Sequence, residues 1–134
     1  MGVAETIRDG DEMIRLMHPE RVPGVFVFKT VSEAQLAALL PTVRAVFREA
    51  EGISVVVPAE PGTGGGMAQI TLQVYSALDG VGLTAAVASA LAKASVPCNV
   101  IAATQHDHIF VPEAQADKAV SVLKALSDDA RKEG

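Results

Sequence analysis

One glycine-rich junction decides how this chain folds: Leu78-Asp79-Gly80-Val81-Gly82-Leu83-Thr84. The preceding residues 70–75 alternate apolar and polar side chains, which predicts a β-strand. The following residues 85–95 are rich in alanine and predict an amphipathic helix. A glycine-rich turn between them leaves backbone N–H groups free at the start of the helix, where a small anion can bind. It is also an ordinary way to turn a chain, so the sequence leaves both interpretations open.

Composition excludes some functions. The chain has 134 residues, of which 49% are hydrophobic, so we expect one compact domain or two very small fused ones. Its formal net charge is -5 and its basic residues are scattered, whereas a protein that binds nucleic acid needs a basic surface. We therefore predict that nucleic acid is not a partner.

Cysteine content and hydropathy indicate where the protein works. Cys98 is the single cysteine, so no intramolecular disulfide can form. The N-terminus is acidic and lacks the apolar run of a signal peptide, and no apolar stretch is long enough to cross a bilayer. The sequence predicts a cytoplasmic protein without a membrane partner.

The residues before the junction predict alternating helices and strands. We expect a helix over residues 9–17, a strand over 25–30, a helix from the N-cap Ser32 to residue 40, and strands over 43–49 and 53–57. Residues 61–66 are glycine-rich and lack the Lys-Ser/Thr of a phosphate-binding P-loop, which favours a flexible connector. This connector separates two predicted domains, residues 1–62 and residues 67–134.

The second domain predicts the order β-α-β-β-α. Strands are expected over residues 67–76, 97–103 and 108–111, with helices over 84–95 and 112–126 and a frayed charged end over 128–134. This order fits an α+β fold of tandem ferredoxin-like, βαββαβ-type units, with an antiparallel sheet and helices on one face. The second unit alone lacks the last element of the βαββαβ plan. If the start of the chain is read as following its end, the helix and strand of residues 9–30 supply what is missing.

Four segments of the second half resemble the ACT domain family: residues 78–84, 95–100, 106–112 and 117–119. The resemblance is strong over residues 68–126 and weak before residue 60, and it extends to short bacterial proteins of uncharacterised function that carry two ACT-like halves. It implies a ferredoxin-like fold, a regulatory role without catalysis, and an amino acid or similar small carboxylate as ligand. It implies no cofactor.

The resemblance also implies a binding site. N–H groups of the junction would meet the ligand carboxylate, and Asp79 would meet its ammonium group. The hydroxyl of Thr84 is expected to cap the helix, with a ligand contact as the alternative. The predicted ligand-binding residues are Asp79, Gly80, Val81, Gly82, Leu83, Thr84, Asn99, His106 and His108.

Other reactive side chains give weaker indications of a functional site. His106 and His108 would share one strand face with Asp107 opposite, but a zinc site needs a third or fourth ligand, so we predict no metal. Cys98 is expected to be a small core residue, since no orienting group for a Cys–His pair is visible. Arg44 and Arg48 are expected on one strand face, solvated or clamping a carboxylate. We predict no catalytic residue.

Two functional hypotheses follow. The first is a non-enzymatic regulatory protein that binds an amino acid, with a second copy of the chain as partner in a homodimer. The alternative is a structural or interaction protein that dimerises through the open face of its sheet and binds no ligand.

Overall fold

The structure is a computed structural model and describes residues 9–60, 62–74, 78 and 80–133. Its first half contains α1 (Gly10–Arg15), β1 (Pro19–Arg21), β2 (Phe26–Val31), α2 (Glu33–Leu39), β3 (Ala45–Glu49) and β4 (Gly52–Pro58). Ser32 is the N-cap of α2, as predicted, and forms a reciprocal capping box with Gln35. Local side-chain bonds therefore set the start of this helix.

The second half has the predicted order β-α-β-β-α. It contains β5 (Met67–Leu72), α3 (Leu83–Lys93), β6 (Asn99–Ala102), β7 (Asp107–Pro112), a 3-10 turn (Glu113–Gln115) and α4 (Ala116–Glu133). The prediction that residues 128–134 fray is wrong as far as residue 133, because α4 continues to Glu133. Ser127 Oγ and Arg131 Nε each donate to the carbonyl oxygen of Arg15 at 2.9 Å, which holds this end of α4 against α1.

All strands join in one antiparallel sheet with the order β3-β4-β2-β5-β7-β6, and β1 also pairs with β5. The predicted ferredoxin-like α+β class is confirmed. One edge of β5 pairs with β7, and the other pairs mainly with β1, with Pro19 opposite Leu72. The segment α1–β1 therefore completes the second unit although it precedes the first unit in the chain. β2 meets β5 through one residue pair, Phe26 and Met67.

The helices cover one face of the sheet. α1, α3 and α4 pack with β5 and β7 around a core whose members include Met17, Ile70 and Leu123, all 0% exposed. A smaller core lies under α2, where Leu36 contacts the β4 side chains Ile53 and Val55. Among the described residues, no helix is long and apolar enough to cross a membrane.

We call the opposite face of the sheet the concave face, because its two edge strands approach each other there. Ala45 of β3 and Ile101 of β6 line the same cavity, although four strands lie between β3 and β6 in the sheet order. A third core forms inside this curve from Phe26, Val56 and Phe110, each at most 3% exposed. The sheet face that the alternative hypothesis expects to be open is therefore partly filled by the protein's own side chains.

Candidate functional site

The glycine-rich junction turns directly into α3. Gly82 occupies the N-cap position with a φ of 108°, a left-handed conformation that side chains other than glycine rarely adopt. The expectation that Thr84 caps the helix is wrong, because α3 begins at Leu83 and Gly82 has no side chain to cap it. Thr84 is instead an exposed residue of the first turn, and Asp79 lies outside the described residues.

A small cavity lies beneath this junction. Its volume is about 80 Å³, and Gly80, Gly82, Leu83 and Thr84 line it together with the buried Asp107. Because Asp107 is the first residue of β7, strand alternation sends it to the helix-covered face, opposite His108. The predicted site omitted Asp107, although the predicted alternation of residues 106–108 was the signal that could have placed it here.

The first turn of α1 closes the junction from outside. A Cβ atom added to Gly10 would lie 2.1 Å from the carbonyl oxygen of Val81, so the two backbones are in contact. Met13 of α1 also lines the cavity. The side chain of Val81 points outward and is 80% exposed. The short N-terminal helix is therefore part of the candidate site, which the sequence did not indicate.

The rings of His106 and His108 are neighbours, with centroids 6.5 Å apart at 84°, but β7 begins at Asp107, so His106 precedes the strand on which both were expected. Nδ1 of His106 lies 3.2 Å from the carbonyl oxygen of Val74. His108 is on the concave face, where its Nδ1 lies 3.0 Å from Thr71 Oγ1 and 3.3 Å from Gln69 Nε2. Burial lowers the pKa of His108, His106 and Arg44 lower it further, and Asp107 opposes them. The structure therefore favours a neutral His108.

Asn99 begins β6 opposite Phe110 in the register, so it also belongs to the concave face. It is exposed, and its Nδ2 lies 4.0 Å from Met67 Sδ. The structure thus brings residues 80–84 together but places Asn99 and His108 on the other side of the sheet. Ligand binding by these residues stays a prediction.

The two arginines do not share a face, so that expectation is wrong. The Arg44 guanidinium carbon lies 5.1 Å from the ring centroid of Phe26 on the concave face. Arg48 pairs instead with Glu33 of α2 on the helix-covered face. Cys98 packs against the main core, as predicted. Within the described ranges, no three His, Cys, Asp or Glu residues are arranged to hold a metal ion.

Comparisons with known proteins agree with this architecture. Models of the ACT domain match residues 6–70 and residues 66–125. A Vibrio cholerae protein of unknown function, described as a possible transport protein, is 37% identical; the match covers 84% of this chain and 92% of that one, with a TM-score of 0.72. The chain therefore belongs to the ACT domain family, whose members are typically small-molecule regulatory domains.

More distant structures share the fold. An Agrobacterium tumefaciens protein is 20% identical, with 81% of this chain and 87% of that chain covered and a TM-score of 0.65. The aspartate kinase of Clostridium acetobutylicum, described as allosteric, is 11% identical, with 81% of this chain but 33% of the kinase covered and a TM-score of 0.61. No curated protein sequence matches the chain.

Proposed function

We propose that this protein is a non-catalytic regulatory module built of two ACT-type units, residues 1–62 and residues 67–134, with α1 and β1 of the first range completing the second unit, and that it binds an amino-acid-type ligand. The family supports a small-molecule regulatory role, since its members typically have one. The ligand, a homodimeric assembly and a cytoplasmic location are part of the proposal. No cofactor is required for it.

The observation that carries the proposal is the cavity shared by the α3 N-terminus and Asp107. The positive end of a helix and its N–H groups favour a ligand carboxylate. Asp107 offers a carboxylate of the opposite sign to a ligand ammonium, and Asp79, which lies outside the described residues, keeps its predicted role. Because the cavity holds only about 80 Å³, we propose that it takes the head group of the amino acid while the ligand side chain extends outward.

A thermal-shift screen against the twenty amino acids tests this function. A ligand at about one hundred times its Kd stabilises the native state by about 2.7 kcal/mol, which shifts the melting temperature measurably. Gly82→Asp places a negative side chain at the helix N-terminus and should abolish the shift. Gly62→Asp is the matched control, because Gly62 also has positive φ but has no atom within 4 Å of an added Cβ.

A second variant shows whether the cavity at the α3 N-terminus is the amino-acid site. Asp107→Asn supplies a second, milder variant in case Gly82→Asp fails to fold, and it should weaken binding of the ligand ammonium. If no amino acid stabilises the wild type, or if both variants bind as the wild type does, the cavity is not an amino-acid site.

Ligand-free dimerisation through the open sheet face is the less favoured alternative. The centre of that face is already occupied by the buried side chains of Phe26, Val56 and Phe110. Sedimentation equilibrium of the wild type tests the proposed homodimer separately, and a monomer at all concentrations would contradict it.

A further inference from the structure

The concave face contains a polar cluster that the proposed function does not use. Gln69 of β5 is 5% exposed and lines a cavity of about 160 Å³ together with Arg44, His108 and Phe110. The Nε2 atom of Gln69 donates to Thr71 Oγ1 at 3.1 Å. Its Oε1 atom is buried and accepts no hydrogen bond from the described residues. An unsatisfied buried acceptor costs free energy, so a donor that reached Gln69 Oε1 would stabilise the protein.

The histidine next to this acceptor, His108, is itself held by two donors. Nδ1 of His108 lies within hydrogen-bond distance of the Thr71 hydroxyl and the Gln69 amide, both of which can donate. A neutral ring whose Nδ1 accepts carries its proton on Nε2. The cluster therefore offers one unfilled acceptor, Gln69 Oε1, beside a neutral imidazole.

Arg44 supplies the charge at this cavity. Its guanidinium group is held over the Phe26 ring and forms no salt bridge with an acidic group of the described residues. Arg48, four residues further along, is by contrast paired with Glu33. An arginine fixed by an aromatic ring beside a cavity is well placed to bind a carboxylate in a bidentate manner.

An apolar groove continues from the polar cavity. It has a volume of about 210 Å³ and shares Ala45 and Ile101 with the first cavity. Phe47, Phe28 and Val56 form its other walls, and Phe47 is 73% exposed while Phe28 is 45% exposed. Large aromatic side chains this exposed are suited to covering an apolar ligand group.

We propose that the concave face is a second ligand site, which takes a small carboxylic acid with an aromatic or branched body and a hydrogen-bond donor next to its carboxylate. Arg44 binds the carboxylate, Gln69 Oε1 accepts the donor, and the groove at Phe28 and Phe47 covers the apolar body. This site lies on the side of the sheet opposite the α3 junction. It therefore requires no ligand at the junction.

Isothermal titration calorimetry with three related probes tests the ligand class. 3-Phenyllactate carries the carboxylate, the hydroxyl donor and the aromatic body, and it should bind. 3-Phenylpropionate lacks the donor and should bind more weakly, while 3-phenylpropane-1,2-diol lacks the carboxylate and should not bind. Equal binding of all three would show that neither the carboxylate nor the hydroxyl is recognised, and no binding of 3-phenyllactate at millimolar concentration would show that the site does not take this ligand class. Either result overturns the proposal.

Two variants test the residues. Arg44→Gln should lower the affinity for 3-phenyllactate by about tenfold or more, as the loss of a charge-assisted pair requires. Arg48→Gln is the matched control from the same segment and should bind as the wild type does, because Arg48 faces α2. Equal affinities of the two variants contradict the assignment of Arg44.

Gln69→Leu separates a binding role from a structural one. It removes the unsatisfied acceptor at similar volume. It also removes the Gln69 Nε2 donor, but Thr71 Oγ1 and His108 Nδ1 keep each other as partners at 3.0 Å, so the melting temperature of the free protein should change little. The affinity for 3-phenyllactate should fall to that of 3-phenylpropionate for the wild type. If instead the variant loses stability and keeps its affinity, Gln69 is a structural residue and the proposal fails.

Discussion

Gly10 marks a close approach of two segments that are distant in sequence. A Cβ atom there would lie 2.1 Å from Val81 O, so Gly10→Ala must push α1 away from the junction. We expect a loss of about 1–3 kcal/mol in the free energy of unfolding, as for other overpacked sites. Urea denaturation measures this loss. Gly64→Ala is the control, since nothing lies within 4 Å of its added Cβ, and a similar loss there would contradict the steric argument.

His108 makes stability depend on pH. Burial lowers its folded-state pKa below the ordinary value of 6.5, with His106 and Arg44 acting in the same direction and Asp107 against them. The unfolded chain therefore binds the proton more readily, so His108 stabilises the fold above pH 6.5 and this contribution is lost as pH falls through the folded-state pKa.

Urea denaturation between about pH 7.5 and about pH 5 measures this effect. The wild type should lose more stability over that range than His108→Gln does. His18→Asn is the control, because His18 is exposed with a φ of 43°, which asparagine tolerates. If the unfolding free energies of the wild type and of His108→Gln change in parallel with pH, His108 is not the source of the pH dependence.

Among the elements, α2 is held by its N-terminal cap. The helix has seven residues, so propensity alone does not stabilise it in water. Ser32→Ala removes one half of the capping box and should cost about 1 kcal/mol of unfolding free energy. Ser121→Ala in α4 is the matched control at an exposed helical position and should change stability by less than about 0.5 kcal/mol. Equal effects of the two substitutions would show that the cap contributes nothing.

Elements with local signals were predictable from the sequence, and elements fixed by distant contacts were not. The cap of α2 is visible because Ser32 and Gln35 are three residues apart. β1 has three residues, too few for a periodic pattern, and it exists because it pairs with β5. The last turns of α4 are polar, and only their contacts with Arg15 show that they stay helical.

The candidate site, too, was predictable from the sequence only where its signals are local. The glycine-rich junction was found from composition and position alone. The curvature of the sheet is a tertiary property, so the sequence did not show that Arg44 and His108 line one cavity. Nor did it show that α1 covers the junction, because a glycine at residue 10 has many explanations until Val81 is seen beside it.

At the scale of the whole molecule, the second unit depends on a segment from the other end of the chain. Met13 and Met17 of that segment are at most 1% exposed in the core of the second unit. We expect residues 66–133 alone to lack a cooperative unfolding transition. The same residues followed by a short Gly/Ser linker and residues 9–24 should regain one, because β5 recovers its partner β1 and the core recovers its methionines.

Thermal denaturation followed by circular dichroism checks this rearranged chain. The matched control carries Met13→Ser and Met17→Ser in the appended segment, which keeps its length but removes the buried side chains. A cooperative transition in the control, or none in the rearranged chain, would contradict the assignment of residues 9–24 to the second unit.

The single residue pair between β2 and β5 has a mechanical consequence. In the part of the chain that the structure describes, only Phe26 and Met67 are paired between β2 and β5, whereas β2 and β4 are paired over six positions. A change in the angle between the two halves of the sheet would therefore break few backbone hydrogen bonds, and this pair would be its pivot. Such a change would open or narrow the space between Ala45 and Ile101, so a group that fills this space would also limit the movement.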